Sequence, residues 1–319
     1  MNVFAIINQR INLWLDRFLF DSCHLQTAAL LRIGFAALLL VYTSVWWLDA
    51  EVWFSDVGLM SVEAAQLSVA NTNWSLFFWL PATPAVVHGC MAILLLNGLL
   101  LLFGYYSRIQ AAMIFFWLVS FQNRNSIIGD GEDTVFRIFA FFLILIPADY
   151  CWSWASWRRR KRGEEDLSTG KVTEAAWGVR LFQLQMAVIY FSAAWCKALG
   201  TSWQQGTALY YVYQMGDTFG RGPLPLFLTE TEWVIRATTW AVLAVEASLP
   251  VLLFLPRTRL PAICLALVLH LSMEYAMHLF LFQWIMMLGI LSFTKPADFS
   301  RLIRLFRKPA VAASGVSGV

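Results

Sequence analysis

Three groups of side chains could do chemistry, and each sits in or beside an otherwise apolar stretch. Lys197 lies near the end of one such stretch, at helical spacing from Tyr190 and Ala193, and Trp203, Gly206, Tyr210, Tyr211 and Tyr213 follow it. A lysine in apolar surroundings loses stabilisation of its charged form, which suits it to act as a base; kept protonated, it stabilises an anion. His270, Glu274 and His278 recur every four residues and so share one helical face. The stack is about 12 Å long, so an adjacent pair could share a metal but all three could not. With no HExxH and no further ligand at metal spacing, a proton path or polar cluster is expected, and no metal. Glu274 could also pair with a membrane cation such as Arg137 or Arg236.

The third group is Asn123-Arg124-Asn125-Ser126, then Gly129-Asp130-Gly131-Glu132-Asp133 and Arg137. Asp133 and Arg137 stand i,i+4 at the start of a helix, spaced for an ion pair, and the acidic residues suit its N-terminal dipole. Two readings stand: a capped helix start with a structural salt bridge, or the mouth of a pocket.

These groups need a membrane to position them. With 59% hydrophobic and 13% charged residues in 319, the chain reads as an integral membrane protein rather than a soluble core. Apolar stretches fall near 26–48, 84–103, 109–122, 133–149, 178–198, 233–255, 260–278 and 280–294. Crossing the hydrocarbon takes about 20 residues, so the third, fourth and eighth are short and one could be half-spanning. The fold class expected is an all-α integral membrane protein, a multispan helical bundle of about eight transmembrane helices in one domain, 26–295.

The connections alternate in charge. Arg10, Arg17, Arg108, Arg158–Arg162, Lys171, Arg257, Arg259 and the basic tail fall on one side. The 49–83 loop opposite carries Asp49, Glu51, Asp56 and Glu63 with no Lys or Arg. The positive-inside rule then makes both termini cytoplasmic. Residues 1–25 lack the pattern of a cleaved signal and read as an interfacial amphipathic helix; 296–319 read as a basic cytoplasmic tail, disordered at its end. The run Arg158–Arg162 follows Trp152, Trp154 and Trp157, so its expected partner is anionic lipid, not nucleic acid. The five cysteines form no CxxC pair and read as packing residues. Snorkelling accounts for Arg32, Arg180 and Arg236, whereas Glu246 lies mid-membrane and needs a helix–helix partner or a proton. In this topology Lys197, His278, His88 and the Asn123–Asp133 segment converge on one extracytoplasmic mouth.

Five stretches carry a resemblance: Arg32-Ile33-Gly34, Phe54–Gly58 (FSDVG), Asn123–Asp133 (NRNSIIGDGED), Val188–Gly206 (VIYFSAAWCKALGTSWQQG) and His270–Phe282 (HLSMEYAMHLFLF). Together they resemble the HTTM family, related to the membrane domain of vitamin K-dependent gamma-carboxylases, over roughly 25–295. The Tyr-Phe…Lys…Trp-x-x-Gly segment is the most specific part. The resemblance implies a multispan domain with an extracytoplasmic pocket, a reduced, vitamin K-like quinone as cofactor, and a lysine base that deprotonates it. The carboxylases' Asn-Asn-His-Ser reads Asn123-Arg124-Asn125-Ser126 here. Their Lys-Lys pair falls on Lys197 and Ala198, and the second lysine is the one credited as base. His270 matches a carboxylase histidine, while Glu274 and His278 fall on serines. The sequence also stops just past the last span, without a large soluble substrate-recognition domain. These departures point away from protein gamma-carboxylation itself.

The functional expectation is a bacterial inner-membrane enzyme acting with a quinol or another apolar substrate. Lys197 and His270 would do the chemistry; Asn123, Arg124, Asn125, Asp133, Arg137, Trp203, Glu274 and His278 would line the pocket. The alternative is a non-catalytic membrane partner in export, maturation or immunity of a secreted peptide, working through loops 49–83 and 199–232. A transporter would show related halves with broken helices, and none are evident.

Overall fold

Backbone groups in hydrocarbon have no water to bond, so apolar spans form helices, and each apolar stretch of this sequence does. In a computed structural model of the chain, the described residues are 3–20, 23–68, 74–164, 171–172, 176–295 and 298. The expectation for 296–319 therefore lies outside them, apart from Asp298.

Helix α1 (Val3–Phe20) leads into α2 (Leu25–Leu48), the short α3 (Ala50–Phe54) and α4 (Val62–Ser68), then α5 (Pro84–Leu102) and α6 (Ser107–Arg124). After α7 (Gly131–Leu145) come α8 (Trp154–Lys161), α9 (Ala176–Leu199) and four short helices. These are α10 (Thr201–Gln204), α11 (Ala208–Gln214), α12 (Gly216–Phe219) and α13 (Leu226–Glu230). The chain closes with α14 (Glu232–Leu252), α15 (Arg259–Ala276) and α16 (Phe282–Ile290). A two-residue antiparallel bridge pairs Cys23 with Val172 and His24 with Lys171.

Among the described residues, four helices, α2, α5, α14 and α15, are long and apolar enough to cross a membrane. Helix α9 equals α2 in length at 24 residues, but Arg180, Gln183, Gln185 and Lys197 dilute it. With the turn Leu291–Phe293, α16 reaches only about 18 Å, short of a full crossing.

The core sits where α2, α6, α7, α9 and α16 meet. Tyr42 stacks on Phe136 with centroids 4.5 Å apart, and Phe139 meets Phe182 edge-on at 4.7 Å. Asn97 donates to Gln110 across the α5–α6 hairpin at 2.8 Å.

Two arginines anchor the ends of this bundle. Arg32 does not snorkel: it is 0% exposed. Its guanidinium donates to the carbonyls of Leu101 (3.1 Å) and Leu102 (3.2 Å) at the C-terminus of α5, and of Trp152 (2.6 Å). Basic charge at a helix C-terminus is favourable, and the backbone here bends to supply it. Trp152 is held at φ 48°, and Gly104 at φ 67° lies so close that an added Cβ would sit 2.0 Å from Arg32 Nη1. Asp149 closes the same corner by capping α6 at the Ser107 amide (3.1 Å).

Arg32→Leu leaves those carbonyls dry, at about 1–3 kcal/mol each, so a large fall in the thermal midpoint in detergent is expected. Arg108→Leu on the exposed face of α6 should barely move it. Gly104→Ala should resemble Arg32→Leu although it removes no contact.

Candidate functional site

The site is built from α9, α14, α15 and α16. Gly200 ends α9 and turns the chain into α10, which leaves Lys197 in the last turn of α9. Helix α14 runs back along α9 and carries Glu246 to the same level. Lys197 Nζ lies 2.5 Å from the Glu246 carboxylate; the side chains are 24% and 6% exposed. The Trp203 ring centroid lies 5.4 Å from Nζ, a second source of stabilisation for the cation. Trp240 of α14 fixes Trp203 by donating to its carbonyl at 3.2 Å.

Deeper on α9, the buried Tyr190 hydroxyl is 2.6 Å from His270 Nε2, and His270 Nδ1 is 2.5 Å from Gln283 Oε1. With Gln283 Oε1 accepting from Nδ1–H, Nε2 is the acceptor for the tyrosine hydroxyl. Three helices thus contribute one link each to a hydrogen-bonded chain. Lys197 lies within electrostatic reach of His270, and Glu246 of Tyr190, so the ion pair and the chain form one polar unit.

Glu274 lies a turn beyond His270 on α15 and is buried. It takes neither Arg137 nor Arg236. Its Oε1 instead accepts from Arg221, in the segment before α13, at 3.0 Å from Nε and through a second, shorter contact from Nη2. Trp284 donates to the same oxygen at 3.3 Å, and His278 Nδ1 lies 3.4 Å away. Arg236 pairs with Glu232 on the exposed side of α14. The backbone adds to this latch, since the His278 amide donates to Phe219 and the Arg221 amide to Tyr275.

The Asn123–Arg137 group assembles elsewhere. Arg124, 0% exposed, donates to the carbonyls of Ser55 (3.0 Å) and Met60 (2.7 Å), with Asp56 at 3.8 Å. Asn125 donates to Trp53 and Asn123 to Trp74. All three therefore hold the chain from Trp53 to Met60, and Trp74, onto the end of α6. Asp133 does not pair with Arg137. It accepts the Tyr42 hydroxyl and, in a capping box with Asp130, the Asp130 amide at 2.8 Å. Arg137 acts on it only from a distance and lines a groove with Asn123 and Phe142.

The convergence on one mouth is thus divided. The loop anchors and the Lys197–His270 unit are separate groups, bridged where Glu132 of α7 accepts the Leu281 amide beside α16 at 2.9 Å. His88 belongs to neither: its Nδ1 contacts the Pro84 carbonyl and its ring meets Trp47 edge-on. Among the described residues, no three His, Cys, Asp or Glu side chains cluster as metal ligands.

An apolar slot of about 580 Å³ runs between α14 and α15 and is covered by α11 and the 224–228 segment. Val245 and Leu269 line it, and Glu246 and His270 are the next residues on the same helices. At about 100° per residue, the polar unit faces α9 while the slot opens on the adjoining face.

Sequence reasoning missed Tyr190, Gln283, Arg221 and Trp284 as members of these networks. A lone carboxylate and a lone lysine in separate apolar helices were the signal for Glu246–Lys197. Neutral polar residues within apolar runs carry no such mark.

The family described as HTTM domain matches residues 55–297. An uncharacterized protein of Bacillus subtilis (strain 168), YitO, is 30% identical over 174 residues, 53% of this chain and 52% of that protein. The chain thus spans about half the length of this curated relative. No solved structure matches.

Removing one partner of a buried ion pair leaves an uncompensated charge, at about 3–5 kcal/mol. Lys197→Met and Glu246→Leu should each be strongly destabilising, and the double variant less so than their sum. Thermal unfolding of all four proteins in one detergent gives the coupling. Additive losses would mean that the pair is not formed.

Proposed function

The chain belongs to the HTTM family, and on that premise we propose that it is a membrane-embedded enzyme acting with a quinol, or a comparable apolar substrate, at an extracytoplasmic pocket. The observation that carries this reading is the Lys197–Glu246 pair set against the Tyr190–His270–Gln283 chain. Ionisable groups within membrane helices are costly and mark functional sites.

A reduced quinone, when bound, supplies reducing equivalents and an ionisable hydroxyl. The slot beside the polar unit suits its apolar body, with Val242, Val245, Leu269 and Met273 on the walls. Lys197, set against the Glu246 carboxylate, offers a cation beside which an oxyanion can be stabilised. Glu246 is then the carboxylate to which a substrate proton moves. Gln283 keeps the imidazole in the tautomer whose Nε2 accepts, and Tyr190 donates its hydroxyl proton there, so this chain offers a second path for a proton. The Glu274–Arg221 latch closes the outer end of the slot by fixing the segment that leads into Leu224 and Leu228. Arg124 stands where the carboxylases carry an asparagine, and Asn125 where they carry the histidine. Both are committed to loop carbonyls, which supports a reaction other than glutamate γ-carboxylation.

In the proposed topology all eight apolar helices enter a bacterial inner membrane, with both termini cytoplasmic. The charge alternation supports it. So does α8, where Trp154 and Trp157 pack at 4.6 Å beneath Lys161, a surface for anionic lipid. A cysteine placed at Ser61 should react with a membrane-impermeant maleimide in intact cells, and one placed at Arg160 only after lysis. The reverse pattern would invert the topology.

A second reading, a partner in maturation of a secreted peptide, is favoured by the exposed Leu59, Leu67 and Phe227 in the 49–83 and 199–232 connections. Mass spectrometry of lipids and quinones that copurify with the wild type and the Lys197→Met/Glu246→Leu variant separates the two. A quinone retained by the wild type and lost from a folded variant supports the enzyme. No enriched molecule in either, together with loss of function on Phe227→Ser, supports the partner.

A further inference from the structure

At the opposite end of α9 from Lys197 lies a cavity of about 330 Å³ that belongs to neither the slot nor the polar unit. Six helices meet there: the ends of α1, α14 and α16 and the starts of α2, α9 and α15. Four cationic side chains face it, Arg17, Arg180, Arg259 and Lys295. Among the described residues, Asp298 binds Arg259 at 2.9 Å and accepts from the Lys295 amide. The described lining of the cavity is basic. Its walls are apolar and aromatic. Phe254 packs edge-on against Phe293 at 5.3 Å and, tilted, against Phe18 at 5.8 Å, and Arg180 lies over the Phe18 ring at 5.6 Å.

Two buried polar atoms point to a ligand. Ser292 is 3% exposed and lines the cavity, and its hydroxyl has no hydrogen-bond partner. Arg259 Nε is buried and equally unpartnered. Gln183 holds the Ser292 carbonyl at 2.7 Å, so the strand of chain that presents this hydroxyl is fixed in place. The 18-residue α15 begins at Arg259 and directs the positive end of its dipole to the same place.

Three arginines, an idle buried hydroxyl and aromatic walls in one cavity match a phosphate group that carries an apolar tail. We propose that this cavity binds the phosphodiester of an anionic membrane lipid, its phosphate held by Arg17, Arg180, Arg259 and Ser292 and its apolar part resting on Phe18, Phe254 and Phe293. The lipid cements α1 to the ends of α9 and α14. A free phosphate would share the cations but has no use for the aromatic walls.

The test is native mass spectrometry of the detergent-purified full chain with phosphatidylglycerol or phosphatidylcholine added. The wild type should retain phosphatidylglycerol over phosphatidylcholine. The Arg17→Gln/Lys295→Gln variant, altered only at exposed side chains, should retain it about tenfold less or worse. Ser292→Ala should weaken retention too, whereas Arg158→Gln/Arg160→Gln on α8 should leave it unchanged. Equal retention of both lipids, or undiminished binding by the folded Arg17→Gln/Lys295→Gln variant, overturns the proposal. So does inorganic phosphate that displaces phosphatidylglycerol at low millimolar concentration, which would make this a free-anion site.

Discussion

A guanidinium with no water around it has to be solvated by something, and in this chain backbone carbonyls do it at both ends of the bundle. Arg32 gathers carbonyls from the end of α5 and the turn before α8; Arg124 gathers them from the loop after α3. Each arginine dictates the path of a connection that otherwise has little to fix it. At the Arg32 corner the demand is strong enough to hold Trp152 in the left-handed region and to require glycine at 104. The α5–α6 hairpin is set by that corner, and α7 packs on α6 with its first turn closed by Tyr42 and Asp133. The helices that carry the polar unit then assemble on this half.

How much of this was legible in the sequence follows from what each kind of signal encodes. Apolar runs encode helices directly, so the eight stretches and their order read well, while four of them leave length or polarity short of an unambiguous crossing. Single ionisable residues in such runs announce that a partner is needed, which is why Lys197, Glu246, His270 and Glu274 stood out. Which partner is a question of helix rotation and depth, and that is written in no local pattern. Glu274 therefore went to Arg221 rather than to Arg137 or Arg236, and Asp133 went to Tyr42 across 91 residues rather than to Arg137 one turn away. Arg32 was mistaken for a snorkelling side chain because sequence gives its depth but not the carbonyls that meet it there.

The two faces of α14 and α15 divide the work. One face of each is apolar and makes the slot; the next face carries Glu246 or His270 toward α9. Because neighbouring positions on a helix point about 100° apart, two residues in sequence can belong to an apolar and a polar surface without sharing either. No Asp, Glu, Lys, Arg or His lines the slot among the described residues.

The Lys197–Glu246 contact also bears on how the protein is made. The two residues are 49 positions apart, so the lysine leaves the ribosome well before its partner exists. Through the synthesis of α10–α13 the last turn of α9 carries a cation whose carboxylate has still to be made. A chain that stopped before α14 would lack that carboxylate, so this end of α9 is completed by a helix made later.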